Sequence, residues 1–297
     1  MPISWNLIRI KADRAWETTR GADVKIAVLD TGVDRDHPAL VENVKASYDF
    51  ISGIGDGKDG CGHGTFVAGI IAANNRGEER VGVAPEANLH CLKVLGDNFE
   101  GHPSAVIAGI DWCIHNRVDI INMSFGLYYS HGFPLDHQGV REVLQRAVDS
   151  NILVVAAAGN EGNSTGLVTF PAAYEFVIAV AATDKFDLLA PTSSWGPEVN
   201  LCAPGDEIKS TMPCSHLFDW VKASMSEGNF AVAAAGTSFA APHVTGVAAL
   251  VLSDKRSITA DELRRILHDS SENLGLQAPK QHACLIDAHA ATRMDII

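Results

Sequence analysis

Three side chains in this sequence have the types that nucleophilic catalysis uses, and they sit in similar settings. Asp30 closes the apolar run at residues 24–29 and precedes Thr31-Gly32. His63 stands in Gly62-His63-Gly64-Thr65, and Ser238 in Gly236-Thr237-Ser238-Phe239-Ala240-Ala241-Pro242-His243. A serine hydroxyl is a weak nucleophile at neutral pH. It needs a base to take its proton, and the base needs a carboxylate to orient it. Flanking glycines let backbone and substrate approach closely. A fourth residue, Asn160, follows the apolar run ending in Ala157-Ala158-Gly159. A fixed amide there can stabilise the oxyanion of acyl transfer. Each residue alone has a plain structural reading: tight packing for Ser238, a cap for His63, a strand end for Asp30, a Gly-Asn turn for Asn160. In the order Asp, His, Ser they read together as acyl-transfer machinery.

These residues need rigid elements behind them. Residues 24–29 are short, apolar and β-branched, which predicts a buried parallel strand running into a loop at Asp30. The glycine-rich stretch 51–62 predicts turns, and the small residues from His63 to Ala73 predict a closely packed helix. Strands are expected at 88–95, 119–124, 152–158 and 176–182. Helices are expected at 104–116, capped by Ser104, and at 139–150. A loop from Gly236 leads into a buried helix reaching residue 252. Residues 259–268 form an amphipathic helix in which Thr259 and Glu262 make a capping box. Alternating strands and helices predict an α/β fold with a mainly parallel sheet covered on both faces. No repeat, low-complexity run or linker interrupts the chain, so residues 1–297 are expected to form a single domain.

Composition narrows the function classes. The 297 residues are 46% hydrophobic and 20% charged, enough to build a large core. With 23 Lys+Arg against 36 Asp+Glu the formal charge is −13, which leaves no cationic surplus for phosphates and argues against nucleic-acid binding. No apolar run is long enough to span a membrane, so no membrane partner is expected. The six cysteines (Cys61, Cys91, Cys113, Cys202, Cys214, Cys284) form no CxxC pair, which argues against structural zinc. Gly55-Asp56-Gly57-Lys58-Asp59-Gly60 fits GxGxxG but sits in a polar loop, so a dinucleotide site is not expected. Asn163-Ser164-Thr165 is a glycosylation sequon that matters only in a secretory eukaryotic context.

The four segments resemble the signature blocks of the subtilisin-like serine proteases. The blocks correspond to residues 28–34, 62–69, 156–162 and 236–246, and the resemblance runs from about Ile10 to about Ala291. It implies a three-layer α/β fold with a mainly parallel central sheet flanked by helices. It further implies a serine endopeptidase in which Ser238 is the nucleophile, His63 the general base and Asp30 its orienting carboxylate. Asn160 and the Ser238 N–H would form the oxyanion hole. By the same resemblance Ser124, Phe125 and Gly126 form an extended strand that pairs with a polypeptide substrate, and Phe99, Glu100 and Gly101 form the facing strand. Core packing is the competing reading for Phe99 and Phe125. Ala157, Ala158 and Gly159 would line the pocket for the residue before the scissile bond.

Departures from the family pattern carry further expectations. Phe239 replaces a methionine beside the nucleophile, which removes an oxidisable thioether and predicts tolerance of peroxide at that position. Phe66 replaces a polar residue near the base. Cys61, two residues before His63, is either a thiol sensitive to mercurials or a small buried hydrophobe. No cofactor is required for the chemistry, and the metal ligands are left unassigned. The family's strongest calcium site looks lost, since Ala39 and Arg76 stand where oxygen ligands are needed. A weaker calcium site near Ala172, Tyr174, Glu198 and Asn200 is the remaining candidate. Residues 213–235 form a longer stretch than usual, with Cys214, Phe218 and Trp220. Alternatives to a general endopeptidase are a narrow processing protease for one precursor and a catalytically silent binding protein. Acidic charge and scattered cysteines resemble the intracellular subtilisins, so the cytoplasm is expected, with a secreted mature fragment as the alternative. An inhibitor or prodomain would then be supplied separately.

Overall fold

The computed structural model describes residues 3–74, 82–128, 134–213, 230–276 and 284–295, without the side chains of 230–233. The expectations for Arg76, Cys214, Phe218 and Trp220 fall outside these residues. Two short helices, α1 (Trp5–Arg9) and α2 (Ala12–Ala15), lead into β1 (Lys25–Asp30), β2 (Val44–Asp49), α3 (His63–Ala72) and β3 (Asn88–Lys93). Next come α4 (Pro103–Asn116), β4 (Ile120–Met123), α5 (Gln138–Asp149), β5 (Leu153–Ala157), β6 (Ile178–Thr183) and β7 (Val199–Pro204). The hairpin strands β8 (Ile208–Thr211) and β9 (Phe230–Ala234) precede α6 (Thr237–Asp254) and α7 (Ala260–Asp269). The chain closes with β10 (Glu272–Asn273), β11 (Cys284–Leu285) and α8 (Ala288–Arg293).

Nine strands make one sheet in the order β10-β11-β7-β6-β5-β4-β1-β3-β2 among the described residues. Every pairing is parallel except β10 with β11. Along β1 the side chains alternate between two cores. Ile26 and Val28 face a cluster with Val67 and Ile71 of α3, Val244 and Val247 of α6, and Leu263 of α7. Ala27 and Leu29 face another with Val106 and Ile110 of α4 and Val143 and Leu144 of α5. Period-two alternation thus gives each strand two apolar faces, and the sheet lies between two helical layers. The chain leaves β1 first toward β3 and β2, then returns to build β4 to β7 on its other side. That reversal opens a crevice at the carboxyl ends of β1 and β4, where open α/β sheets bind ligands.

Several boundaries differ from the sequence expectation for local reasons. The cap of α4 is His102, not Ser104: its Nδ1 accepts from the Ser104 N–H at 3.2 Å, with Pro103 preset at the first helical position. His137 caps α5 in the same way through the Val140 N–H. The Thr259–Glu262 capping box on α7 forms as the sequence predicts. Among the described residues, β8 and β9 form an antiparallel pair beside the main sheet.

Candidate active site

Asp30 is the last residue of β1 and is fully buried. Its Oδ1 accepts the Thr31 N–H at 2.7 Å and lies 2.7 Å from His63 Nδ1. An ionised carboxylate can only accept, so Nδ1 carries the ring proton and Nε2 is the basic nitrogen. Burial opposes a charge on His63, but the charge and hydrogen bond of Asp30, helped by Asp59, outweigh it and hold the imidazole pKa above its ordinary value.

His63 opens α3 immediately after Gly62, whose φ of 89° is a left-handed conformation that glycine adopts without strain. The turn is held by a residue that sequence reasoning missed. Asp59 is 3% exposed, and its Oδ1 accepts from the Thr31 hydroxyl (2.9 Å), the Cys61 N–H (3.0 Å) and the Gly62 N–H (2.7 Å). Its Oδ2 accepts from the N–H (2.8 Å) and hydroxyl (2.7 Å) of Thr65. Thr31 Oγ1 in turn accepts from Gly64 N–H at 2.9 Å, so one carboxylate ties the loop after Asp30 to the first turn after His63. The available signal was an aspartate shortly before a helix start, where negative charge meets unpaired N–H groups. Lys93 Nζ donates to Thr31 O and to Asp97, each at 2.6 Å, and fixes the same loop from β3.

Aromatic rings enclose the imidazole. Phe99 meets it edge-on at 5.2 Å and Phe239 at 5.5 Å, and Phe66 packs on Phe239 at 4.8 Å. The residue replacing methionine and the residue replacing a polar neighbour are thus one packed pair beside the base. Ser238, half-buried, is the second residue of α6 and precedes Phe239, so the first turn of α6 lies against His63. The N–H groups of that turn carry the positive end of the helix dipole, with the Phe239 N–H turned back onto Gly236 O at 3.0 Å. Thr237, also missed, binds Asn160: its N–H donates to Asn160 Oδ1 at 3.0 Å and its hydroxyl lies 3.2 Å from the same oxygen. The amide oxygen is therefore committed to α6, and Nδ2 is the donor end that remains.

Ser124, Phe125 and Gly126 follow β4, which ends at Met123, and have no place in the ladder. Ala157 ends β5, and Ala158 and Gly159 follow it outside the ladder. Met123 pairs with Ala156, so the two segments leave the sheet side by side. Phe125 packs partly against the core, as the competing reading anticipated. The facing strand expected at Phe99, Glu100 and Gly101 is instead a tight turn. Phe99 has φ 63° and donates its N–H to Gly96 O, and Gly96 N–H returns to Glu100 O at 2.8 Å.

Two further expectations change. The Cys61 thiol is buried, and burial, with the charges of Asp59 and Asp30, pushes its pKa up to about 11. It is a protonated, shielded group and not a reactive thiolate. The weaker calcium site does not fit its residues. Asn200 Oδ1 accepts the Ala179 N–H at 2.9 Å and has the Arg264 guanidinium 3.4 Å away, while the Tyr174 hydroxyl donates to Asp136. A guanidinium beside the ligand oxygen excludes a second cation. Among the described residues no group of three or more His, Cys, Asp or Glu is arranged to hold a metal.

Residues 21–283 match the family described as Subtilase family, Peptidase_S8. The chain is 37% identical to Subtilisin DY of Bacillus licheniformis over 276 residues, covering 92% of this chain and 93% of that protein. Identity to Subtilisin Savinase of Lederbergia lenta is 36% over 292 residues, 98% of this chain and 99% of that protein. With Subtilisin E of Bacillus subtilis (strain 168) it is 41% over 258 residues, 86% of this chain and 62% of that protein. With this similarity added to a buried Asp–His pair at the switch point of a parallel sheet, the chain belongs to the subtilase family and is a serine endopeptidase.

Proposed function

We propose that Ser238, His63, Asp30 and Asn160 carry out peptide hydrolysis through an acyl-enzyme. Ser238 Oγ attacks the peptide carbonyl carbon and passes its proton to His63 Nε2. Asp30 holds Nδ1–H and stabilises the imidazolium. The developing oxyanion takes hydrogen bonds from Asn160 Nδ2 and the Ser238 N–H. His63 then gives its proton to the leaving amine, and water, activated by the same ring, releases the acyl group. Substrate backbone lies along residues 124–126, where an unladdered segment can pair with an extended peptide. The observation that supports this most is the 2.7 Å contact between His63 Nδ1 and Asp30, which fixes the tautomer the base needs.

A fluorophosphonate probe tests it. Ser238 should be labelled in the native chain and not in Ser238→Ala; equal labelling of both would remove the assignment. Asn160→Ala should keep its label but lose on the order of 10²–10³ in kcat, the size known for such a donor in a subtilisin. The runner-up reading, one peptide precursor as substrate, is favoured by the filled pocket described below, and a casein digest beside a panel of defined peptides distinguishes it. A silent binding protein is opposed by the four site residues all being present. Cys61, Cys91, Cys113, Cys202 and Cys284 are all thiols outside any disulfide, which supports a reducing, cytoplasmic setting.

A further inference from the structure

Two glycines line the gap between the segments that leave β4 and β5, and the space before each is already taken. A Cβ on Gly126 would lie 2.7 Å from Tyr128 Cε2, 2.9 Å from Tyr128 Oη and 2.8 Å from Thr169 Oγ1. A Cβ on Gly159 would lie 2.9 Å from Thr169 Cγ2, 2.9 Å from Ser194 Oγ and closer still to the Glu161 carboxylate. Two adjacent segments thus look onto the same buried threonine, with the Tyr128 phenol and the Glu161 carboxylate beside it. The phenol is fastened there. Tyr128 Oη donates to Glu161 Oε1 at 2.8 Å, and Ser194 Oγ donates to Glu161 Oε2 at 3.0 Å while accepting the Glu161 N–H at 3.2 Å. Thr169 is locked by its N–H bond to Ala158 O at 2.8 Å. Burial and the carboxylate push the phenol pKa up, so it stays a donor at any working pH.

A slot walled by glycine backbone is wide enough for a large flat side chain when it is empty. Here a phenol, a hydroxyl and a carboxylate occupy it, and each is held by hydrogen bonds that an entering apolar ring would have to break without replacement. We propose that Tyr128, tied to Glu161 and abutting Thr169, closes this slot to large residues. The enzyme then cleaves after small uncharged side chains such as glycine, alanine or serine. This rests on the proteolytic reading of Ser238 and the two segments. The Glu161 charge disfavours acidic side chains, and a lysine would have to displace two donors already on that carboxylate.

The test is a set of peptide anilides that differ only in the residue before the scissile bond: Ala, Leu, Phe, Lys and Glu. The native enzyme should favour Ala over Phe by about 10-fold or more in kcat/KM. Tyr128→Ala should move that ratio toward Phe by about 10- to 100-fold, the range that pocket volume commands. Tyr128 is 40% exposed, so its truncation does not threaten the core. Fluorophosphonate labelling is read in parallel. A native chain that does not label overturns the proteolytic reading and this role together. A labelled enzyme that prefers Phe, Leu or Lys to Ala, or a ratio that Tyr128→Ala leaves unmoved, overturns the role of Tyr128 alone.

Discussion

At the scale of single residues, two buried carboxylates do different work at one imidazole. Asp30 binds the ring, whereas Asp59 binds the backbone and the threonine hydroxyls of the loop and helix turn that carry it. Asp59→Asn leaves an amide where five donors converge, and its NH₂ end faces other N–H groups. That should cost about 2–3 kcal/mol of stability and lower kcat more than it raises KM. It also removes a negative charge that holds His63 up, so the acid limb of the kcat/KM profile should move to lower pH. A limb that stays in place while kcat falls would reduce Asp59 to a purely structural role. Cys61, with its pKa near 11, should react with iodoacetamide at pH 8 far more slowly than a model thiol; alkylation at the model rate would contradict its burial.

At the scale of elements, α1 is coupled to the base through α6. Trp5 packs against the cluster of Phe66, Ile70, Ile208, Met212 and Phe239, and Phe239 touches His63. One turn further along α6, the buried His243 Nδ1 donates to Phe239 O at 2.7 Å, so its Nε2 accepts from Asn6 Nδ2 of α1 at 2.7 Å. Burial lowers the His243 pKa from 6.5 to about 4. The unfolded chain therefore binds a proton that the folded chain refuses between those values. Stability should fall as pH drops from 6.5 toward 4, by about 3 kcal/mol from this group. Denaturant melts of the native protein and His243→Gln across that window should differ in slope; parallel slopes would assign acid lability elsewhere.

At the scale of the molecule, the switch of strand order at β1 brings the ends of β1, β4 and β5 and the starts of α3 and α6 to one crevice. None of these elements could form the site alone. The same architecture carries an arginine where the weaker calcium site was expected. Arg264 reaches Val177 O and Asn200 Oδ1 from α7, tying that helix to the sheet with a fixed charge. Melting temperature should then differ by less than about 2 °C between millimolar calcium and excess chelator; a calcium-dependent rise of 10 °C would show a site among other residues.

The sequence by itself determined which residues could react and marked the strongly apolar or strongly amphipathic elements, because both signals are local; it left α1, α2, α8, β2 and β7 to β11 unmarked, since they are short or mixed in polarity. Glycine-flanked Asp30, His63 and Ser238 stand out by type. Continuous apolar runs mark the central strands, small residues mark α3, and helical spacing marks α4, α5 and α7. It also fixed the capping box of α7, whose donors and acceptors lie three residues apart. Tertiary structure decided what depends on partners far along the chain. The Asp30–His63 contact spans 33 positions and the Asn122–Thr245 bond 123. The tie from Asp59 back to Thr31, the commitment of Asn200 to Arg264 and the folding of Tyr128 onto Glu161 join residues 28 to 64 positions apart and are invisible in any short window of sequence. A hydrogen-bonding side chain has several possible partners, and only the assembled backbone says which of them lies 2.8 Å away.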